Sequence, residues 1–145
     1  MPESSHSRVT VSELVILDTS IFIDHLRTGC HQQRIESLTG LIRISSVVVA
    51  ELWRGATEPA EREFLRALEK NHPILTPTEN NWLESGRLLG QIYADKRFTP
   101  DKLRDLHFDV LIALTARSHG ARLITSDRAD FEMISAYREF EFEIW

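Results

Sequence analysis

The chain has 145 residues, which is enough for one domain with a substantial buried core. Its 42% apolar and 27% charged residues are typical of a soluble globular protein, and its single cysteine, Cys30, excludes an internal disulfide. The formal net charge of −5 is unlike that of most nucleic-acid-binding proteins, which carry a basic surface.

The chain starts with a polar segment, MPESSHSR, that lacks the apolar core of a signal peptide. We therefore expect a flexible tail at residues 1–8 and one domain over residues 9–145. No apolar run approaches the roughly 18 to 20 residues of a membrane-spanning helix, so we expect no membrane association. A lone cysteine and the absence of zinc-ligand spacing fit a reducing, cytoplasmic location.

The first half of the chain alternates short apolar runs with helical patterns. The predicted elements are a strand at 13–18, helices at 19–27 and 31–38 separated by Gly29, and a strand at 41–45. Residues 46–56, SVVVAELWRGA, are ambiguous because three consecutive valines favour a strand. Ser45 or Ser46 can cap a helix, however, and we predict that a helix follows a strand over 41–44.

The second half continues the alternation. The predicted elements are a helix at 58–70, a short strand at 72–77, a helix at 79–96, a loop at 97–105, a helix at 106–120 ended by Gly120, a strand at 121–127 and an edge strand at 140–145. The alternation of strands and helices predicts an α/β fold, a single three-layer sandwich with a mainly parallel central sheet.

The helix at 79–96 carries apolar residues on one side, where we expect packing in the core or at an interface with a protein partner. They are Trp82, Leu83, Leu89, Ile92 and Tyr93. Gly86 and Gly90 lie four residues apart and would allow another element to approach this helix closely.

Two aspartates follow apolar strands directly. Asp18 ends the run VILD, and Asp127 ends ARLITSD. In open α/β sheets, ligands bind beyond the carboxyl ends of the strands, so both side chains are candidates for a binding site. The alternative for each aspartate alone is a cap for the helix that follows.

Two further acids lie in apolar segments. Asp109 is embedded in FDVLIALTA and Glu51 in VVVAELW. A buried carboxylate costs several kcal/mol unless it is paired, protonated or bound to a metal. A favourable helix dipole for Asp109 and a salt bridge from Glu51 to Arg54 are the alternatives. If the four acids cluster, a divalent cation would relieve their repulsion, and hard oxygen ligands suit Mg²⁺ or Mn²⁺.

In this order, the segments LDTS, VVVAELWRGA and FDVLIALTARSHGARLITSDRADF resemble those of the PIN-domain nucleases, most closely the VapC-type toxins of toxin–antitoxin pairs. The resemblance spans residues 13 to 132. It implies a Mg²⁺-dependent endoribonuclease, with Mn²⁺ as a possible substitute, that acts as a toxin. It also implies an RNA substrate, a cognate antitoxin and a homodimer. The matching metal-binding and catalytic positions are Asp18, Glu51, Asp109 and Asp127. Many relatives have asparagine where Asp127 stands.

Polar neighbours of these four acids are interpreted first as helix or turn caps. This applies to Asp105 and Asp130, and to Thr19 and Ser20, whereas Thr125 is a candidate to bind phosphate or a metal-bound water. RNA would be held locally by basic side chains, which would make binding dependent on salt. The candidates are Arg27, Arg43, Arg54, Lys96, Arg97, Lys102 and Arg104.

Other functions remain open at this stage. A PIN-domain nuclease in RNA processing without a toxin role is one alternative, and a catalytically inactive PIN-like binding module is another. Haloacid-dehalogenase-like phosphatases are disfavoured, because they require a second aspartate two residues after the first, where this chain has Ser20.

Overall fold

A computed structural model describes residues 13–145 of the chain. The predicted tail, residues 1–8, lies outside the described residues, as do residues 9–12 at the start of the predicted domain. The described strands are β1 (Leu14–Leu17), β2 (Leu41–Ser45), β3 (Ile74–Leu75), β4 (Arg122–Thr125) and β5 (Phe142–Ile144). The described helices are α1 (Thr19–Thr28), α2 (Gln32–Glu36), α3 (Ser46–Gly55), α4 (Pro59–Asn71), α5 (Glu79–Lys96), α6 (Pro100–Ser118) and α7 (Arg128–Tyr137).

The five strands form one sheet in the order β3-β2-β1-β4-β5, and every neighbouring pair is parallel. The α/β prediction with a mainly parallel sheet is therefore confirmed, as is the position of β5 at an edge. β1 lies at the centre, where Val15 and Ile16 are fully buried. Since all strands run in the same direction, their carboxyl ends meet at one edge of the sheet, and the helices that connect them flank it.

The ambiguous segment after β2 is helical. The Ser45 hydroxyl accepts hydrogen bonds from the N–H groups of Val47 and Val48, and so caps α3. Val47, Val48 and Val49 are buried, because the helix packs them against the rest of the core. The cap and the burial together outweigh the preference of the three valines for a strand, and the predicted helix is confirmed.

The predicted loop at 97–105 is wrong. α5 ends at Lys96, Arg97 takes a left-handed conformation with φ of 55°, and α6 already begins at Pro100. The Thr99 hydroxyl accepts a hydrogen bond from the N–H of Lys102 and caps α6. Asp105 consequently lies inside α6 and is exposed, so its interpretation as an N-cap is also wrong.

The apolar residues predicted on one side of α5 are divided between the core and the surface. Trp82, Leu83 and Tyr93 are 51%, 53% and 43% exposed, whereas Leu88 and Ile92 are fully buried. Polar residues complete the inner face because they have partners on α6: the Asn81 amide donates to Ser118, and Ser85 bonds His107. A Cβ added at Gly86 or Gly90 would meet no atom within 4 Å, so neither glycine marks a close approach within residues 13–145.

The long helix α6 supplies much of the core. Every residue from Val110 to Ala116 is buried, and Gly120, with φ of 63°, ends the turn that leads into β4, as predicted. Asp109 precedes this buried stretch directly. Within residues 13–145, none of the helices combines the length and the apolar sequence that crossing a bilayer would require.

Candidate metal centre

The carboxyl ends of β1 and β4 bring two acids together. Asp18 follows β1, Asp127 lies two residues beyond β4, and the strands pair in register with Leu17 opposite Ile124. Helices α3 and α6 add Glu51 and Asp109 from the layers around the sheet. All four predicted acids thus converge on the edge where α/β proteins bind ligands.

Asp18 both caps a helix and faces the site. Its Oδ2 accepts hydrogen bonds of 2.8 Å from the hydroxyls of Ser20 and Thr125, and it caps α1 through the N–H of Ser20. The expectation that Thr19 or Ser20 would provide the cap is therefore wrong. The side chain is buried, and Oδ1 has no hydrogen-bond partner among the described residues. Burial raises the pKa of Asp18, and the hydrogen bonds from Thr125 and Ser20 partly oppose that rise.

Glu51 is held by Thr19. The Thr19 hydroxyl donates to Oε1 of Glu51 at 2.6 Å, so Thr19 links α1 to α3. Burial raises the pKa of Glu51, the hydrogen bond from Thr19 lowers it, and the charge of Asp18 raises it further. Among residues 13–145, Glu51 and Arg54 form no ion pair; the Arg54 guanidinium lies 5.0 Å from the centre of the Phe108 ring instead.

The pKa of Asp109 is strongly raised. Burial raises its pKa to about 9, and the charges of Asp18, Glu51, Asp130 and Asp127 contribute to the rise, in decreasing order. An isolated chain at neutral pH therefore keeps a proton on Asp109. The carboxyl group lies among four other carboxyl groups, and a bound cation would offset the repulsion between their charges.

Asp130 joins this cluster, which the sequence interpretation did not expect. One carboxylate oxygen each from Asp109, Asp127 and Asp130 lies within 4.8 Å of the others, close enough for all three to hold one ion. Asp127 caps α7, because its Oδ1 accepts the N–H of Asp130 at 3.2 Å. The prediction that Asp130 is the cap is therefore wrong. Lys102 donates to Oδ1 of Asp130 at 2.9 Å.

A hydrogen-bond network supports the loop after β4. The N–H of Ser126 donates to the Ser20 hydroxyl at 3.1 Å, and the Ser126 hydroxyl donates to Oδ2 of Asp24 at 3.2 Å. Oδ2 of Asp24 also lies 3.3 Å from Nε2 of His31, a buried side chain. These contacts connect α1 to the segment between Thr125 and Asp127, and so fix the positions of Asp18 and Asp127 relative to each other.

The basic candidates for RNA contact are distributed unevenly. Lys102 contacts an acid of the cluster, and Arg54 lies one turn after Glu51 on α3. Arg43 is half-buried on β2, while Arg27, Lys96, Arg97 and Arg104 are exposed. Lys102 and Arg54 are therefore the two basic residues that the fold attaches most directly to the acidic site.

An apolar groove of about 210 Å³ lies beside Glu51, between α1, α3 and α4. Ile23, Leu26, Leu52 and Leu65 line it, and Ile23 and Leu26 are 36% and 39% exposed. Contiguous apolar surface next to a polar site is typical of a surface that binds another protein.

Comparisons with known proteins were made on the sequence and on the fold. The family model of the PIN domain matches residues 15–136, and a search of curated proteins found no match. The fold is similar to that of VapBC2 from Rickettsia felis bound to a DNA fragment from their promoter, with a TM-score of 0.70 and 21% identity. It is also similar to VapBC-1 from nontypeable Haemophilus influenzae, with a TM-score of 0.69 and 23% identity. VapBC-5 from Mycobacterium tuberculosis, a member of the VapBC family of toxin–antitoxin systems, matches with a TM-score of 0.64 and 23% identity. In all three cases 91% of this chain and 98% of the other chain are covered.

Proposed function

This chain belongs to the PIN domain family, and from that premise we propose that it is a metal-dependent endoribonuclease acting as the toxin of a toxin–antitoxin pair. The observation that carries the proposal is the cluster of carboxylates at the carboxyl edge of the sheet, centred on Asp109 with its pKa of about 9. Acids that perturb one another's pKa are typical of a functional site. RNA in the cytoplasm is the proposed substrate.

The side chains present fit a hard divalent cation. Asp109, Asp127 and Asp130 offer three oxygens within 4.8 Å of one another, and Asp18 offers a buried Oδ1 that has no partner among residues 13–145. Carboxylate oxygens are the ligands that Mg²⁺ and Mn²⁺ prefer. We propose Mg²⁺ as the cofactor, with Mn²⁺ as a substitute, held by Asp18, Asp109 and Asp127 with Asp130 as a further candidate ligand.

When bound, such an ion would lower the pKa of a water molecule and stabilise the charge that develops on the phosphate. Ser20 and Thr125 orient the carboxylate of Asp18 through its Oδ2 and leave Oδ1 free. Thr19 holds Glu51 at the rim, where Glu51 would complete the ligand set or orient the attacking water. No side-chain nucleophile is required, and the expected products carry a 5′-phosphate and a 3′-hydroxyl.

Two surfaces suit the proposed protein partners. The groove beside Glu51 would take an apolar segment of the antitoxin, which would cover the acidic site and block RNA. The exposed face of α5, with Trp82, Leu83 and Tyr93, would take a second copy of the chain in a homodimer. The similarity in fold to VapBC structures supports an antitoxin as a partner, whereas the homodimer and the choice of surfaces are proposed from the exposed apolar side chains alone.

Cleavage of RNA by the purified protein tests the proposal. The parent protein should cleave with Mg²⁺ and should lose cleavage with EDTA, while Asp109→Asn should be inactive in both conditions. The nuclease assignment fails if the variant and the chelated protein cleave as fast as the parent, and binding of RNA without cleavage would favour the inactive binding module.

The toxin role needs a separate experiment. Expression of the parent should stop growth of cells that lack the antitoxin, whereas expression of Asp109→Asn should not. If the active nuclease leaves growth unchanged, the RNA-processing alternative replaces the toxin role.

A further inference from the structure

Lys102 is the basic residue that contacts the acidic cluster. Its Nζ lies 2.9 Å from Oδ1 of Asp130, and the two side chains are 38% and 21% exposed. Asp130 in turn shares the cluster with Asp109 and Asp127. Of the salt bridges among residues 13–145, this is the one whose acid belongs to the candidate metal centre.

The Lys102–Asp130 contact differs from an ordinary surface salt bridge because it lies at the candidate metal centre. Lys102 and Asp109 are both on α6, seven residues apart, so they lie on the same side of the helix two turns apart. The hydrogen bond that Lys102 donates to Asp130 raises the pKa of Lys102, burial lowers it, and the charges of Asp130, Asp127 and Asp109 raise it further. The ammonium group is thus within electrostatic reach of the three acids whose oxygens could hold one ion together.

A metal ion and RNA bound at the site would change the charges around Lys102. A divalent ion among the three acids repels the ammonium group and competes with it for Asp130. A phosphodiester at the site adds a negative charge beside both cations. Because an ammonium group has three donors and a flexible stem, it can move from a carboxylate to a phosphate oxygen nearby.

Resting on the proposed function, we propose that Lys102 binds the scissile phosphate: it pairs with Asp130 in the free protein and donates to a non-bridging phosphate oxygen when RNA is bound. Lys102 then weakens metal binding in the absence of RNA and stabilises the transition state in its presence. These two effects have opposite signs, which a lysine that only tethers α6 to α7 would not produce.

Lys102→Met tests the proposal by two measurements on the full chain. The first is the affinity for Mn²⁺ without RNA, by isothermal titration calorimetry. We expect binding to become roughly three- to tenfold tighter, because one nearby positive charge is removed. The second is cleavage with Mg²⁺, where kcat should fall on the order of 10²-fold, as for the loss of one charge-stabilising donor. KM should change much less than kcat.

Two variants serve as controls. Lys102→Arg keeps the charge and should bind Mn²⁺ within about twofold of the parent. Lys70→Met removes an exposed lysine near the end of α4, just before β3 begins and thus at the opposite edge of the sheet, and should change neither measurement.

The outcomes separate this proposal from the proposed function. If the parent binds Mn²⁺ and cleaves RNA but Lys102→Met binds no more tightly, or keeps its kcat, the role of Lys102 is refuted and the nuclease assignment stands. If the parent binds no divalent ion, the proposed function fails and the role of Lys102 fails with it. If Lys102→Met does not fold, the same two measurements on Lys102→Gln decide the question.

Discussion

Replacing Asp109 by asparagine is expected to stabilise the metal-free protein at neutral pH while it abolishes cleavage. The carboxyl group of Asp109 is half-buried among four other acids, and its pKa rises to about 9. The unfolded chain releases this proton near pH 4, so at pH 7 folding requires the group to take a proton up again. Asparagine has nearly the same shape and carries no such cost.

The size and the sign follow from proton linkage. Below pH 4 both states hold the proton, and the substitution has no electrostatic effect. From pH 4 to pH 9 only the folded state holds it, and stability falls by about 1.4 kcal/mol per pH unit. With a folded pKa of about 9 and an ordinary pKa of 3.8, the cost at pH 7 is about 4 kcal/mol as an upper bound. Relaxation and water penetration reduce it, so about 2 to 4 kcal/mol is expected.

Urea denaturation in EDTA between pH 5 and pH 9 measures this difference. The gap between Asp109→Asn and the parent should widen as the pH rises, and Mg²⁺ should stabilise the parent but not the variant. Glu63→Gln removes one charge from an exposed position on α4 and should leave the pH dependence unchanged. Equal stability of Asp109→Asn and the parent at pH 7 to 9 would refute the argument that burial and repulsion dominate at this residue.

Four further substitutions test the supports of the site and the fold. Thr125→Val removes a hydrogen bond that lowers the pKa of Asp18, so activity should fall roughly 10- to 100-fold and the acidic limb of the pH–rate profile should move to higher pH. Gly40→Ala should lower the free energy of unfolding by about 1 to 3 kcal/mol in urea denaturation, because the added Cβ would lie 2.6 Å from a backbone oxygen. At Gly86 an added Cβ meets no atom within 4 Å, so Gly86→Ala should stabilise α5 by about 0.5 to 1 kcal/mol. Ser45→Ala removes the cap of α3 and should cost about 1 kcal/mol in the same assay; no loss would show that the cap is dispensable.

Local sequence patterns were sufficient for most of the fold. Apolar runs of strand length, separated by helical patterns, located all five described strands, and the parallel sheet followed from their alternation. The error at residues 97–105 came from using polarity in place of capping. Residues 97–105 are polar, but Thr99 followed by Pro100 is a helix start, and the helix follows the cap rather than the composition.

The inner face of α5 could not be predicted from the local sequence, for a different reason. Apolar periodicity pointed to Trp82 and Tyr93, yet the helix buries Asn81 and Ser85. A polar residue can occupy an inner face when a neighbouring helix supplies its hydrogen-bond partner, and the partners, Ser118 and His107, are remote in sequence. The sequence around α5 therefore does not show which of its polar residues have hydrogen-bond partners on α6.

The acids of the candidate site could be predicted where they lie in an otherwise apolar segment. Asp109 and Glu51 lie in apolar runs, and this local anomaly was visible without any structure. Asp130 lies in an ordinary polar stretch, SDRADF, with no such anomaly. Its place in the cluster depends on Asp127 capping α7, which turns residue 130 toward the same edge of the sheet.

The acidic net charge is itself explained by the site. The chain has 22 acids and 17 bases, so the five acids Asp18, Glu51, Asp109, Asp127 and Asp130 account for the whole excess. With these five neutralised by protons or by bound cations, the remaining side chains carry no net charge. Under the proposed function, repulsion of RNA would therefore be strongest at the site, and a bound cation would reduce it there. The same carboxylates that make the free chain less stable at neutral pH would then make RNA binding conditional on metal.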